Sequence, residues 1–344
     1  MRIAVIGMGA MGSAVARSLL SSGAEIVTYL EGRSAATKER AVAAGIRDVD
    51  ITTMLDADII LSIVPPSQAL AVADYVATAM RSRNSVGIYI DCNAISPQTM
   101  TKVAETFGAG GPKVLDGCII GGPPMPGKCG PRVYISGGAN KVVPILVDYG
   151  LDARVLDGDI GASSALKMCY AGINKGLTGL ATAIILAAAK SGADQALMAE
   201  LAESQSQLLA KFSTTIPDMC PKAYRWVAEM QEIAEFLGED DPGAEIFWGM
   251  AGVFDYMAAD QSSDGNMAAT LSRMLEQRPT DGSINRYDAL SNGNFDQGSK
   301  GPDSVPSARN TDDRDELEDR LESGFPASDP ASTTFTGIPE RTRT

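Results

Sequence analysis

The sequence predicts an α/β domain with a doubly wound, mostly parallel sheet, followed by an all-helical domain. Apolar strand-like runs alternate with helical patterns over residues 1–115, which is the arrangement that produces a parallel sheet. A glycine-rich turn, Gly7-Met-Gly-Ala-Met-Gly12, follows the first run. From Ala162 onward the strand patterns stop, and Ala/Leu/Met-rich helical patterns replace them.

The strand-like runs follow one another at regular intervals. We predict strands at residues 3–6, 25–30, 57–64, 87–91, 113–116 and 132–136. In open α/β sheets, ligands bind outside the carboxyl ends of the strands. The loops that follow the strands are therefore expected to converge on one crevice; they begin at Gly7, Glu31, Pro65, Asp91 and Gly121.

The helical half contains four predicted helices, at residues 162–191, 195–212, 222–237 and 244–259. We therefore divide the chain into a dinucleotide-binding domain (1–160), a helical domain for substrate and dimerisation (161–276) and a tail (277–344). The tail is rich in Gly, Ser, Pro, Asn and Asp, a composition typical of disordered segments. Its one helical candidate, residues 312–321, is short and charged.

Composition excludes several classes of function. The formal net charge of −14 argues against a nucleic-acid or anionic-membrane partner. The five cysteines are irregularly spaced, which indicates neither a disulfide framework nor a zinc site. No signal peptide precedes the first strand, so a cytoplasmic location is expected. The apolar stretch 177–189 is interrupted by polar residues and is short for a membrane span, so we expect a buried helix.

The chain contains no histidine. Histidine acid–base chemistry, Ser-His-Asp triads and histidine metal sites are therefore excluded, and we expect no metal. A proton donor must be Lys, Tyr, Cys, Asp, Glu or water.

The glycine turn predicts a dinucleotide site, because it follows a strand and opens a helix. In such a turn Gly7 makes the bend, Gly9 lets the backbone approach a pyrophosphate, and Gly12 allows close helix–strand packing. The pyrophosphate would lie at the helix N-terminus beside Ala10 and Met11, where N–H groups and the helix dipole attract an anion. The alternative is a glycine turn that binds nothing.

The remaining predicted cofactor contacts come from later strand ends. Glu31, after the second strand, lies near the spacing at which an acid binds a ribose 2′-OH, which favours NAD. Arg33 could instead pair with a 2′-phosphate while Ser34 donates to it. We favour NADP and keep NAD as the alternative. The remaining possibility is that Glu31 and Arg33 are solvated loop residues that contact no cofactor. Other predicted cofactor contacts are Val64, Pro65 and Asn93.

Two further segments carry candidate chemistry. In residues 116–130, Gly121 and Gly122 can leave backbone N–H groups facing a small anionic substrate, or can simply form a tight connection between strands. In the helix after the domain junction, Lys167, Tyr170 and Asn174 stand at i, i+3 and i+7, so they share one face. We predict these three as catalytic, although lysines more commonly extend to the surface.

Together these segments resemble the 3-hydroxyacid dehydrogenase superfamily, which includes 3-hydroxyisobutyrate and 6-phosphogluconate dehydrogenases. The matching pieces are residues 7–12, 91–97, 116–122 and the helix of Lys167. Residues 221–235 resemble a branch whose helical C-terminal domain is described as 6-phosphogluconate dehydrogenase C-terminal-like. The resemblance implies a Rossmann domain, a helical domain, a homodimer, and hydride transfer between a nicotinamide and a small hydroxy acid. It also implies that Lys167 is the general acid/base.

The chain departs from this family at the substrate positions. Where the family has a serine before the paired glycines, this chain has Ile120, and where it has an asparagine after the lysine, this chain has Ala171. The family's later Lys-Asp pair corresponds to Gln231-Glu232 here. Tyr170, Asn174 and Glu232 are the expected replacements, with Glu232 as a substrate ligand. Gly121, Gly122 and Asn93 are expected to position the substrate. Two alternatives therefore stay open: reduction of a C=N bond, and a regulatory protein that binds a dinucleotide without turnover.

Overall fold

One eight-stranded sheet forms the N-terminal part of the protein, in a computed structural model that describes residues 1–124 and 130–276. The strands lie in the order β3-β2-β1-β4-β5-β6-β7-β8. Neighbours are parallel, except for the antiparallel pair β6 and β7. This confirms the predicted doubly wound, mostly parallel sheet. The strands are β1 Arg2–Ile6, β2 Glu25–Thr28, β3 Arg47–Asp48, β4 Ile59–Ser62, β5 Ile88–Asp91, β6 Val114–Ile120, β7 Arg132–Ser136 and β8 Asp152–Val155.

Helices cover both faces of this sheet. Alternate residues of β1 belong to different apolar clusters: Ile3 and Val5 to one, Ala4 and Ile6 to the other. Because successive side chains of a strand point to opposite faces, this alternation shows that β1 is buried on both sides. The helices are α1 Ala10–Ser21, α2 Ala35–Ala43, α3 Ile51–Leu55, α4 Ala69–Arg83, α5 Pro97–Phe107 and α6 Val143–Asp148.

A 30-residue helix, α7 Ala162–Ser191, connects the sheet to a helical bundle. It contacts β6 and the helices that follow it in the chain. A third apolar cluster forms the core of this helical bundle. By length and composition alone α7 could cross a membrane, but 44% of its most apolar window is buried inside the protein. The bundle helices are α8 Asp194–Ser204, α9 Ser206–Met219, α10 Ala223–Leu237, α11 Pro242–Gln261 and α12 Asn266–Glu276.

Some predicted elements differ from the structure. The single helix predicted at 195–212 is wrong: the chain forms α8 and α9, which are separated at Gln205. Strands β3 and β8 and helix α12 are not predicted. The first has only two residues, and β8 pairs only with β7 at the sheet edge. The predicted tail at 277–344, with its helix at 312–321, lies outside the described residues.

The carboxyl ends of β4 and β5 align in one row with polar residues of β6 and β7. Ser62 of β4 pairs in register with Asp91 of β5, which pairs with Asp116 of β6, which in turn faces Ser136 of β7. All four polar residues are buried. The loops after β4 and β5 therefore begin beside one buried polar row, which we call the strand-end row, whereas β6 continues four residues past Asp116 to Ile120.

Candidate active site

The turn between β1 and α1 requires glycine at two positions. Gly7 has a φ of +93°, and a Cβ there would lie 2.2 Å from the carbonyl oxygen of Ile63. A Cβ on Gly12 would lie 1.8 Å from the carbonyl oxygen of Gly7. Helix α1 begins at Ala10, directly after Gly9, so the N–H groups of its first turn lie at the sheet edge where an anion is favoured. This geometry fits the pyrophosphate of a dinucleotide.

The loop after β2 contains three residues that bear on cofactor choice: Glu31, Arg33 and Ser34. The Ser34 hydroxyl is buried and caps α2, accepting the Thr37 N–H at 3.2 Å. Glu31 is exposed, and the Tyr29 hydroxyl donates to its carboxylate at 2.6 Å. Arg33 lies between them and is half-buried. We therefore regard Ser34 as a helix cap and keep Arg33 as the candidate for a ribose phosphate.

Arg40, which is not among the predicted site residues, connects this loop to the glycine turn. Its Nε donates to the Met8 carbonyl oxygen at 2.9 Å, and its Nη2 donates to the Thr37 hydroxyl at 3.1 Å. Arg40 thus supports the glycine turn from α2. Since it lies 32 residues from Met8, no local pattern could have indicated this contact.

The side chain of Asn93 makes hydrogen bonds within the protein. Its Oδ1 accepts the Val64 N–H at 2.6 Å, and its Nδ2 donates to Asp91 at 2.9 Å and to the Ser62 hydroxyl at 3.2 Å. The Asn93 side chain therefore clamps the ends of β4 and β5 together. Val64 is buried beside it, while Pro65 is exposed at the start of the next loop.

Asp91 lies beneath this clamp and is fully buried. It accepts the backbone N–H of Asn93 at 2.9 Å. Burial raises the pKa of Asp91 to about 7, although the hydrogen bonds from Asn93 act in the opposite direction. The sequence alone places Asp91 at a strand end but does not indicate its burial.

Asp116 of β6 holds the start of α7. Its carboxylate accepts the N–H groups of Gly161 and Ser164 at 2.9 and 3.0 Å, and the hydroxyls of Ser164 and Ser136 at 2.8 and 3.2 Å. Burial raises the pKa of Asp116, and the hydrogen bonds from Ser164 oppose that rise. The first turn of α7 is thus fixed to the strand-end row.

Lys167 lies one turn further along α7. Its Nζ donates to the Ile119 carbonyl oxygen at 2.8 Å, near the end of β6, and its side chain is half-buried. In the described part of the chain, neither Tyr170 nor Asn174 hydrogen-bonds Lys167. Tyr170 is 44% exposed, and Asn174 accepts from Lys211 of α9 at 3.1 Å. The structure therefore does not join the three predicted catalytic residues in one hydrogen-bonded group, and Lys167 is the one held at the end of β6.

A charged pair on the same helix was not predicted. Lys175 forms an ion pair with Glu229 of α10, and its Nζ lies 4.6 Å from the centre of the Trp226 ring. The i, i+4, i+8 spacing places Lys175 on the face of Lys167 and Ala171. This spacing was the available sequence signal, but the partner on α10 is 54 residues away.

The predicted substrate residues are distributed differently. Gly121 and Gly122 are exposed directly after β6, and Gly121 has a φ of +123°, so both stand where a ligand could meet the backbone. Glu232 instead accepts the Ser96 N–H at 2.6 Å and the Thr99 hydroxyl at 2.9 Å. Its carboxylate joins α10 to the start of α5.

Two parts of the chain are similar to known protein families. Residues 2–150 match the NAD binding domain of 6-phosphogluconate dehydrogenase, and residues 188–257 match a domain of unknown function, DUF1932. A 3-hydroxyisobutyrate dehydrogenase of Pseudomonas aeruginosa is 29% identical over 216 residues, covering 59% of this chain and 70% of that protein. The uncharacterized oxidoreductase YfjR of Bacillus subtilis is 29% identical over 150 residues, covering 40% and 49% respectively.

Solved structures share the fold. A conserved protein of unknown function, described as similar to 3-hydroxyacid dehydrogenases, has a TM-score of 0.58 at 27% identity and covers 77% of this chain and 99% of its own. The Mycobacterium tuberculosis 3-hydroxyisobutyrate dehydrogenase, solved with L-serine, has a TM-score of 0.60 at 17% identity, covering 79% and 98%. At that identity the second likeness shows the fold alone.

Proposed function

We propose that the chain is an NAD(P)-dependent dehydrogenase of a small hydroxy acid. Residues 2–150 match the NAD binding domain of 6-phosphogluconate dehydrogenase, and residues 188–257 match DUF1932. The likeness to 3-hydroxyisobutyrate dehydrogenase of P. aeruginosa supports the CH–OH substrate. The glycine turn supports a dinucleotide cofactor, since its two constrained glycines keep side chains away from the start of α1.

The position of Lys167 carries this proposal. Its Nζ is held at the end of β6 by the Ile119 carbonyl oxygen. Asp116, on the same strand, holds the first turn of α7. Strand β6 therefore supports both the helix and the lysine side chain, which limits the movement of Nζ. A proton-transfer group needs this constraint, because it must stay within hydrogen-bond reach of the reacting oxygen.

The chemistry assigned to Lys167 is proton transfer at Nζ. In the oxidation direction a neutral Lys167 amine accepts the hydroxyl proton of the substrate as the carbon loses hydride. In the reduction direction the ammonium returns that proton to the carbonyl oxygen. An ammonium has three N–H donors, so one can bond Ile119 while the others remain for substrate. When bound, the nicotinamide supplies the hydride acceptor or donor.

The backbone at the end of β6 is the proposed substrate-binding site. Gly121 and Gly122 are exposed beside Ile119 and Ile120, and the buried Ile120 side chain cannot bond a carboxylate. Backbone N–H groups of the glycines are the proposed replacement. Arg33 is the proposed contact to a 2′-phosphate, which makes NADP the favoured cofactor and NAD the alternative.

A substrate panel tests the proposal. Purified protein is mixed with NADP or NAD and a set of small 3-hydroxy acids, and reduced nicotinamide is followed by absorbance. Corresponding imines are tested with reduced cofactor in the opposite direction. Turnover of hydroxy acids supports the proposal. Imine turnover alone would identify a C=N reductase, and cofactor binding without any turnover would favour the regulatory alternative.

A further inference from the structure

The N-terminus of α5 is completed by a residue of the helical domain. Ser96 is the N-cap residue of α5, and its hydroxyl accepts the Thr99 N–H at 3.1 Å. The Ser96 backbone N–H donates to Glu232 Oε2 of α10 at 2.6 Å, and the Thr99 hydroxyl donates to the same oxygen at 2.9 Å. A contact between the two domains thus closes the start of this helix.

The arrangement is that of a capping box whose acid comes from another element. In an ordinary capping box the third helical residue is Glu or Gln, and its side chain accepts the backbone N–H of the N-cap residue. The third residue of α5 is Thr99, which has no carboxylate, and Glu232 accepts that N–H instead. The local sequence therefore supplies half of the cap, and the packing of α10 supplies the other half.

The same two helices meet at a second point. Gln98 Nε2 of α5 donates to the carbonyl oxygens of Glu235 and Phe236 at 3.2 and 3.4 Å. Because α10 ends at Leu237, these carbonyls belong to its last turn, where the helix itself offers no N–H partner. Each helix therefore satisfies polar groups at an end of the other. We call these contacts, together with those of Glu232, the interdomain cap.

The interdomain cap lies at one end of the loop between β5 and α5. Near the other end of this loop, the Asn93 side chain accepts the Val64 N–H and so binds the end of β4. Between these two anchors, Ala94 packs against the apolar core of the bundle, whereas Ile95 belongs to a core of the sheet. Residues 92–96 are therefore held by the sheet on one side and by the helical domain on the other.

This loop borders the proposed cofactor site. It leaves the carboxyl end of β5, the edge at which open α/β sheets bind their ligands. Strands β1 and β5 both flank β4, and all three run parallel, so the glycine turn before α1 opens at the same edge. Helix α10 also contacts residues Pro66–Gln68 in the loop after β4. One helix of the second domain thus meets two loops of this edge.

We propose that Glu232 is a positioning residue that fixes the β5–α5 loop for the cofactor from the helical domain. The inference rests on the proposed function, in which a dinucleotide binds at this edge of the sheet. The role differs from the substrate contact that the sequence predicts for Glu232, because the carboxylate acts through the Ser96 N–H. Its loss should loosen residues 92–96 and weaken cofactor binding, while the glycine turn keeps its shape.

Amide hydrogen exchange of the full chain, followed by mass spectrometry, measures the loop directly. The variants are Glu232→Ala, Glu232→Gln and Thr99→Val. Glu200→Ala is the matched control, because Glu200 is exposed on α8 of the same domain. Peptides that contain residues 92–96 are compared with peptides that contain β1. Fluorescence titration gives the dissociation constants of NADP and NAD, and thermal melts show which variants fold.

We expect Glu232→Ala to speed exchange in residues 92–96 and to weaken cofactor binding, each by about 5- to 10-fold, which corresponds to the loss of one helix cap. Glu232→Gln keeps an acceptor oxygen and should recover most of this loss. Thr99→Val keeps the Ser96 contact, so its effect should be about 3-fold. Exchange in β1, and all measurements on Glu200→Ala, should match the wild type.

Three outcomes in Glu232→Ala would overturn the inference. Unchanged exchange in residues 92–96 would show that the carboxylate does not hold the loop. Equal acceleration throughout the chain would indicate general destabilisation, and faster loop exchange with unchanged cofactor affinity would separate the loop from the cofactor. A raised KM for hydroxy acid, with exchange and cofactor affinity unchanged, would identify Glu232 as a substrate ligand.

The readout separates this inference from the proposed function. If the wild type binds neither dinucleotide, the proposed function fails, and the exchange comparison still decides whether Glu232 holds the loop. If the protein binds cofactor but oxidises no hydroxy acid, the predicted changes in exchange and affinity still support the inference. If Glu232→Ala does not fold, Thr99→Val decides: exchange equal to the wild type in residues 92–96 overturns the role of the interdomain cap.

Discussion

At the scale of single residues, Lys167 is the side chain on which the proposed proton transfer depends. Its Nζ is bound to a carbonyl oxygen on β6, so its position does not depend on the substrate. Replacement should therefore remove proton transfer without disturbing the glycine turn that supports cofactor binding.

We expect Lys167→Ala to lower kcat by about 10²–10⁴-fold, the usual range for loss of a general acid or base. Cofactor affinity, measured by fluorescence titration, should stay nearly unchanged. Lys167→Arg should not restore turnover, because a guanidinium stays protonated. Wild-type kcat in Lys167→Ala would mean that another group moves the proton, with Tyr170 the first candidate.

Arg33 is the residue expected to select the cofactor. A charge-assisted guanidinium–phosphate contact contributes ~1.5–3 kcal/mol, which corresponds to about 10- to 100-fold in affinity. Arg33→Ala should therefore abolish most of a preference for NADP, measured as the ratio of the two dissociation constants. Arg154→Ala, at an exposed pair on the β8 edge, is the control. A wild-type preference for NAD would instead point to Glu31.

At the scale of elements, the contact between β6 and α7 positions the lysine. Asp116 accepts two backbone N–H groups and two hydroxyls at the start of the helix. All of its partners are buried or nearly so. Losing a carboxylate acceptor here therefore leaves buried donors without a good partner, and the effect should extend to Lys167, three residues after Ser164.

We expect Asp116→Asn to lower the free energy of unfolding by about 1–3 kcal/mol and to lower kcat, with cofactor affinity nearly unchanged. Urea denaturation and steady-state kinetics measure the two effects. The control is Asp152→Asn, which removes an exposed ion pair with Arg154 and should cost at most ~1 kcal/mol. Equal losses in the two variants would show that Asp116 contributes no more than a surface charge.

Strand β5 carries a pH-dependent contribution to stability through Asp91. Its pKa is about 7 in the folded protein and about 3.9 in an unfolded chain. Between these values the folded state holds a proton that the unfolded state has released. The resulting stabilisation is complete below about pH 4 and is lost as the pH rises through about 7.

Asp91→Asn cannot titrate, so the comparison isolates this effect. The stability of the wild type relative to Asp91→Asn should fall between about pH 4 and 7, at up to ~1.4 kcal/mol per pH unit. Urea denaturation at several pH values measures it. A difference that is constant with pH would mean that Asp91 is ionised throughout the folded state in this range.

At the scale of the whole molecule, exposed apolar side chains follow one stripe of α7. Ile173, Leu180 and Ile184 are 66%, 51% and 53% exposed, and their spacing of seven and four places them on one face. Exposed apolar patches of this kind mark interaction surfaces. We propose that a second copy of the chain covers this stripe, in keeping with the homodimer expected from the sequence.

Ile173→Asp with Leu180→Asp should convert the proposed dimer into a monomer, because each charge would be buried in the interface. Light scattering after size-exclusion chromatography measures the mass. Val86→Asp is the matched control, since Val86 is 92% exposed and lies in the loop before β5, outside the stripe. A monomeric wild type at micromolar concentration would contradict the proposal.

The sequence by itself determined the fold class and the core of the candidate site. The strand, the glycine turn and the start of α1 all lie within the first 12 residues, so local spacing suffices to indicate them. Lys167 was identified by its place after the domain junction and by resemblance. Both signals depend on residues close together in the chain.

The tertiary structure alone decided which polar groups face one another. The Asn93 clamp on Val64, the Asp116 cap on Ser164 and the Lys175–Glu229 pair join residues 29, 48 and 54 positions apart. Periodicity predicts which face of an element is buried, but the partner on that face depends on strand register and helix packing. For this reason Asn93 and Glu232 were predicted as ligand contacts, whereas the fold engages both in internal hydrogen bonds.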